Sequence, residues 1–302
     1  MSIILDADPH RSLSDVSGEC IGYGLRVAGL PGEWPGPALD APRGNLRWSS
    51  SPGPLRQQEE VWWSESHYGL SIGWSYEAQY TVSLVPTPSV VVIRGPIDDR
   101  QAALSFLVAV LPLALPLFDL EPLHGAAVGV RQGGALLLLG PSGAGKSTTA
   151  AAFLARDCSF LADDVCALDR DGVLWPGPPL LATDRGDGRH FATYYDKSIW
   201  VPDSSQHEPS SVRATILLEP SPKTELSLTP LDARSAFTGI LRHVRSRRLL
   251  ASLRQRTQFL VAATLARRPV LALAYDHGTH GPTLLADTVI DHLGVIPLMA
   301  ES

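Results

Sequence analysis

Residues 135–148 read Ala-Leu-Leu-Leu-Leu-Gly-Pro-Ser-Gly-Ala-Gly-Lys-Ser-Thr, an apolar pentapeptide running into a loop that satisfies G-x-x-x-x-G-K-[ST] over Gly140–Ser147. The pattern predicts a buried strand over Ala135–Leu139, a phosphate-binding loop, and a helix from Lys146 to about Arg156. Glycines 140, 143 and 145 let backbone N–H groups turn toward phosphate oxygens, and the new helix points its positive end at the same anion. Lys146 would reach the β- and γ-phosphates, and the Ser147 hydroxyl would ligate Mg²⁺. The nucleotide-binding set is therefore Gly140, Ser142, Gly143, Ala144, Gly145, Lys146, Ser147 and Thr148, with ATP and Mg²⁺ as the expected cofactors. Only Lys146, Lys197 and Lys223 are lysines among 25 basic residues, which gives a lysine at this spacing more weight.

Downstream, Phe160-Leu161-Ala162-Asp163-Asp164 is an apolar strand ending in two carboxylates. A strand that ends in Asp beside the loop can serve the metal with one acid. Adjacent like charges raise the proton affinity of one of the two, which suits a general base or acid. The bland alternative is that one of them caps the following turn. Upstream, His124 lies in Leu123-His124-Gly125, a strand expected over Leu123–Val130; a lone histidine there is either structural or functional, and Gly125 beside it points to a close approach of backbone or ligand.

A hydrophobic fraction of 44% with 19% charged residues is that of a globular protein, not of a disordered or collagen-like one. A net charge of −6 argues against a general nucleic-acid binder. Cys20, Cys158 and Cys166 cannot all pair and fit no zinc or redox spacing, and Met1 is followed by no basic and apolar leader, so reduced thiols in a cytoplasm are expected. The apolar run Ala103–Phe118 carries Pro112 and Pro116 and is shorter than the ~20 residues of a spanning helix, so it is read as a buried helix and no membrane partner is expected.

Residues 1–100 read as a β-rich domain, with strands expected at Tyr23–Leu30, Glu60–Glu65, Tyr68–Ser75, Gln79–Leu84 and Ser89–Arg94 and a long loop over Pro31–Pro54. Residues 101–302 read as an α/β domain: a helix at about Arg100–Leu111, the strands and loop above, helical periodicity from Ser235 to Arg267, and a late strand Val270–Tyr275. Arg242, Arg245, Arg247, Arg248, Arg254 and Arg256 fall on that helical stretch and form either a basic patch for an acidic peptide or phosphoryl oxygens, or a solvated face. Arg185, Arg189 and Arg213 stand in or near loops that would cover a nucleotide, and Asp184, Asp187, Glu208 and Glu219 are open as a further metal acid.

Leu123-His124-Gly125, the loop Gly140–Ser147 and Ala162-Asp163-Asp164 together resemble the HPr kinase/phosphorylase family and its relatives, over about Leu123 to Leu168. The resemblance implies an α/β P-loop kinase fold akin to phosphoenolpyruvate carboxykinase, joined here to a smaller β-rich amino-terminal domain unlike that of those enzymes. It implies ATP-dependent phosphorylation of a serine hydroxyl on a protein or peptide. Asp163 would take the hydroxyl proton, Ser147 and Asp164 would serve the metal, and His124 would sit near the transferred phosphate. The layout is similar to HPr-kinase-like peptide kinases, including those of lasso peptide biosynthesis, which phosphorylate a serine of the precursor. An exposed sheet edge in residues 1–100 would be suited to gripping a peptide, and the ring-like oligomers of HPr kinases imply a homo-oligomer here. The alternatives are a small-molecule P-loop kinase or an ATP-binding regulatory protein. The chain has no Leu-Ser-Gly-Gly-Gln signature of transporter ATPases and no Asn-Lys-x-Asp motif of GTPases.

Overall fold

The apolar strand Ala135–Leu139 is the hub of the molecule. The computed structural model describes residues 4–5, 17–36, 42–55, 61–66, 68–74, 77–131, 133–183, 188–245 and 251–294. Ala135–Leu139 pairs antiparallel with Glu121–Gly129 and parallel with Ser210–Pro220, and the latter pairs parallel with Val270–Tyr275. Ser227–Pro230 closes that edge, while Val165–Leu168 and Val173–Trp175 bridge the far ends of Glu121–Gly129 and Ser210–Pro220. Every residue of Ala135–Leu139 is buried, because helices cover both faces of the sheet. Helices Lys146–Leu154 and Pro282–Leu293 pack one face through Phe153, Leu285 and Val289. Helices Ala233–Leu241 and Ala251–Leu265 pack the other through Ile240, Val261 and Leu265. The expected α/β class, mixed sheets with helices, is the class observed.

The amino-terminal residues form a seven-stranded sheet in the order Ser17–Gly22, Leu25–Pro31, Gly44–Pro52, Ser89–Arg94, Ala78–Ser83, Gly69–Trp74, Val61–Ser66. The expected loop over Pro31–Pro54 is corrected here: Gly44–Pro52 is a strand inside the sheet, parallel to both neighbours. Its only fully buried side chain is Leu46, so Arg47 and the serines at 49–51 disguise it as a polar segment. A third, four-stranded sheet joins Ile4–Leu5, Arg189–Tyr194, Lys197–Val201 and Leu181–Ala182.

The run beginning at Asp99 is helical to Phe118 and mostly buried. Asp98 caps it by accepting from the Gln101 N–H at 2.7 Å, and the Gln101 side chain returns a bond to the Asp98 N–H. Pro112 has no N–H to donate, and the helix widens to a π-turn over Phe106–Val110 just before it. This helix packs in one apolar cluster with the amino-terminal sheet through Phe106, Leu107 and Tyr80, together with Val165 and Phe191 from later in the chain. The packing unit that holds the amino-terminal sheet therefore runs past residue 100.

One further reading is corrected. The helical stretch 235–267 is two helices, Ala233–Leu241 and Ala251–Leu265, with a turn at 242–243 closing the first, which scatters its arginines. The late strand Val270–Tyr275 is observed with the expected bounds, and a helix not expected from the sequence, Pro282–Leu293, follows it.

Candidate active site

Two cavities of about 580 Å³ each flank the phosphate loop. Gly143 and Gly145 hold the loop with φ of 80° and 76°, a region open to glycine without strain. Tyr275 donates its hydroxyl to the Ala144 carbonyl and ties the loop to the end of its strand, so Ala144 is buried and lines neither cavity. Lys146 opens the following helix, and its Nζ folds back onto the carbonyls of Gly140 at 3.0 Å and Pro141 at 2.8 Å. Burial lowers its pKa, against the opposing charges of Asp164 and Asp163.

Ser142, Gly143, Gly145, Lys146, Ser147 and Thr148 line the first cavity with Asp163, Asp164 and His124; Gly140 and Ser142 line the second. The Ser147 hydroxyl donates to Asp163 Oδ1 at 2.7 Å, and the Ala182 N–H donates to Asp163 Oδ2 at 2.9 Å. The Asp163 carboxylate also accepts from the Asp164 N–H within its own turn, a weaker influence on its proton affinity than the bonds from Ser147 and Ala182. Asp164 occupies the left-handed region at φ 62°, held there by bonds from the Val165 N–H to the Asp163 carbonyl and the Gly125 N–H to its own. This bend turns its carboxylate toward His124 Nδ1 at 3.3 Å and toward the Arg245 guanidinium. The backbone carbonyl of Asp164 also lies 3.1 Å from His124 Nδ1.

The two acids separate in proton affinity. Burial pushes Asp163 up to about 6, offset in part by its hydrogen bonds from Ser147 and Ala182. Charge repulsion from Asp164 also raises it, as expected for adjacent acids, but contributes less than burial. For Asp164 burial acts upward as well, but the His124 hydrogen bond and the Arg245 charge outweigh it and hold the carboxyl well below the usual range. The result is one carboxyl that can take up a proton near neutral pH beside one that stays anionic.

The donor set fits a hard cation shared with phosphate oxygens. The Ser147 hydroxyl gives its proton to Asp163 and keeps lone pairs free, and an anionic carboxylate lies one residue away. No group of three His, Cys, Asp or Glu side chains that could hold a metal by itself gathers among the described residues.

Close approach at Gly125 is to the protein itself: a Cβ there would lie 2.7 Å from Leu139 Cδ2 and 2.8 Å from the Leu138 carbonyl. The arginines disperse into separate roles. Arg242 lines the second cavity with His243 and Glu219, and Arg256 is exposed. Arg245 sits just after helix Ala233–Leu241, in a segment that joins Glu121–Gly129 through the bridge Leu123–Val244 and the bonds His124 N–H to His243 and Arg245 N–H to Pro122. Arg254 is buried, with Nη2 2.6 Å from Glu121 Oε1 and 2.6 Å from the Arg245 carbonyl. Asp184, Arg185, Asp187, Arg247 and Arg248 lie outside the described residues. Arg189, Arg213 and Glu208 line neither cavity.

Several groups at the first cavity were missed in the sequence, among them Pro178, Leu180, Ala182 and Thr183. Tyr23 arrives from the amino-terminal sheet, Leu107, Val108 and Ala109 come from the π-turn, and Tyr194–Lys197 is the hairpin tip of the four-stranded sheet. The rarity of lysine was the available signal for Lys197, and Gly22-Tyr23-Gly24 is a hairpin-turn signal for Tyr23.

No protein-family model matches the chain, and no curated protein does. Among solved structures the chain is similar to the HPr(Ser) kinase/phosphatase from Coxiella burnetii, at 14% identity and a TM-score of 0.32, over 57% of this chain and 96% of that one. Identity and superposition this low decide nothing about the site, whose reading rests on the geometry above.

Proposed function

We propose that the protein is a kinase that holds ATP with Mg²⁺ on the Gly140–Thr148 loop and transfers the γ-phosphoryl group to a serine hydroxyl of a peptide or protein. A lasso-type precursor peptide met in the cytoplasm is the acceptor the resemblance favours. The observation that carries this reading is the convergence of Lys146, Ser147, Asp163, Asp164, His124 and Arg245 on one cavity. In this reading Lys146 leaves the loop carbonyls for the β- and γ-phosphates, and Asp163 takes the serine proton. Ser147 and Asp164 would hold Mg²⁺, which supplies charge neutralisation across the phosphates. Arg245 and His124 keep Asp164 anionic and border the transferred group.

The test is incubation of the full chain with γ-labelled ATP, Mg²⁺ and serine-bearing peptides encoded beside its gene, followed by mass spectrometry. Phosphate on serine supports the reading. ATP binding with no labelled peptide, but with a labelled small hydroxyl compound, would move the acceptor to the small-molecule class.

Lys197 gives a smaller prediction. It is exposed at the hairpin tip, lines the Lys146 cavity and acts on the Lys146 charge. Lys197→Ala should weaken ATP binding roughly two- to fivefold, the size of an exposed ion pair of up to about 1 kcal/mol. The effect should shrink in high salt, because exposed charges are screened; calorimetric titration at two ionic strengths checks both.

A further inference from the structure

Tyr23 is held where no local preference would put it. It stands at φ 60° in the two-residue turn between Ser17–Gly22 and Leu25–Pro31, a region that costs an aromatic residue strain. The turn is wedged against residues 175–178. The Tyr23 N–H donates to the Pro176 carbonyl at 2.5 Å. A Cβ on Gly22 would come within 2.5 Å of the Pro178 side chain, and one on Gly24 within 2.3 Å of the Trp175 ring. Both neighbours are thus reduced to hydrogen so that the turn can seat, and the one side chain it carries passes over Gly177, where a Cβ would lie 3.2 Å from the ring.

That side chain ends in the catalytic cavity. Tyr23 is 3% exposed, yet it lines the space shared with Lys146, Ser147, Asp163, Asp164 and Arg245. Its hydroxyl has no hydrogen-bond partner among the described residues. Burial, followed by the charge of Asp164, raises its pKa far above neutrality, so the phenol keeps its proton and is a neutral donor. The acid side of the cavity already holds two carboxylates and does not lack acceptors. Beside those acids Arg245 and His124 each contact Asp164, while Lys146 and Lys197 are the cations on the loop and hairpin sides of the same cavity. A phosphoryl group brought beside these acids presents three oxygens that need donors.

We propose that the Tyr23 hydroxyl donates a hydrogen bond to an oxygen of the terminal phosphoryl group of bound ATP, which makes the amino-terminal sheet a contributor to the nucleotide site. This rests on the ATP reading above. It also gives the amino-terminal unit a direct chemical part in the site, in addition to any grip on an acceptor.

The test uses the full chain and its Tyr23→Phe variant, titrated calorimetrically with Mg·ADP and with the non-hydrolysable Mg·AMP-PNP. Phenylalanine keeps the ring against Gly177 and removes only the hydroxyl, and a thermal melt of each protein checks that the fold is retained. The expected result is unchanged affinity for Mg·ADP and about a tenfold or larger loss for Mg·AMP-PNP, the size of a hydrogen bond to a charged group. Equal affinity of parent and variant for both nucleotides overturns the Tyr23 contact and leaves the ATP reading standing. A parallel loss on both nucleotides also overturns it, because it marks a packing role. A parent that binds neither nucleotide overturns the ATP reading and the Tyr23 contact together.

Discussion

Asp163→Asn is expected to leave Mg·ATP binding within a few-fold of the parent while lowering phosphoryl transfer by about 10²–10⁴, the usual range for loss of a positioned acid or base. The fold should tolerate the change. The amide oxygen can still accept from the Ala182 N–H, and the amide nitrogen can donate to the Ser147 hydroxyl, so both present contacts at 2.9 and 2.7 Å have a neutral replacement. What disappears is the group able to take up a proton. Burial sets that group at about 6, so the acid form accumulates below this pH and cannot accept the proton of the hydroxyl in the proposed reaction. The rate of the parent should therefore fall as pH drops through 6. Single-turnover kinetics with labelled ATP, read beside nucleotide titrations, separate the two effects. A variant that transfers phosphate at the parent rate would remove Asp163 from the chemistry.

Arg254→Ala should have the largest effect on stability. Arg254 and Glu121 are both fully buried, and their contact joins helix Ala251–Leu265 to the start of strand Glu121–Gly129. Removing one partner of such a pair leaves a buried charge unmatched and costs about 3–5 kcal/mol. For a chain of this size that lowers the melting temperature by roughly 6–20 °C. Burial alone raises the Glu121 pKa and Arg254 lowers it again, so in the variant Glu121 should take up a proton at higher pH. The double change Glu121→Leu with Arg254→Met should recover most of the stability, since apolar replacement of a buried pair is often neutral. It should not recover full activity, because the Arg245 carbonyl loses the donor that holds it at 2.6 Å, and Arg245 is the cation on Asp164. Thermal melts and transfer rates of the three variants check this; full activity in the double variant would show that the Arg245 turn holds itself.

Much of the site was legible because its residues follow one another along the chain. The loop, its entering strand and its leaving helix form one strand–loop–helix unit whose chemistry needs glycines, a lysine and a hydroxyl in fixed order. Asp163, Asp164 and His124 could be singled out because each lies at or next to an apolar strand, and the structure brings them to one cavity. The strand Ser210–Pro220 was missed although it is the longest in the sheet. Its first four residues alternate between buried and exposed, and the next five, 214–218, are continuously buried, so no single period runs through it. Gly44–Pro52 was missed for the opposite reason, since almost none of its side chains are buried.

Residue order along the chain was enough to place a glycine-rich loop between a strand and a helix, two adjacent carboxylates, a histidine on the preceding strand and an α/β class, because each depends on local spacing. Only the tertiary structure decided which acid meets which partner. Ser147 reaches Asp163, while the left-handed bend at Asp164 hands the other carboxylate to His124 and Arg245. Packing also decided that Tyr23, about 120 residues before Lys146, and Lys197, about 50 after it, face the same cavity. Burial, which no local sequence pattern measures, separated the proton affinities of two chemically identical neighbours.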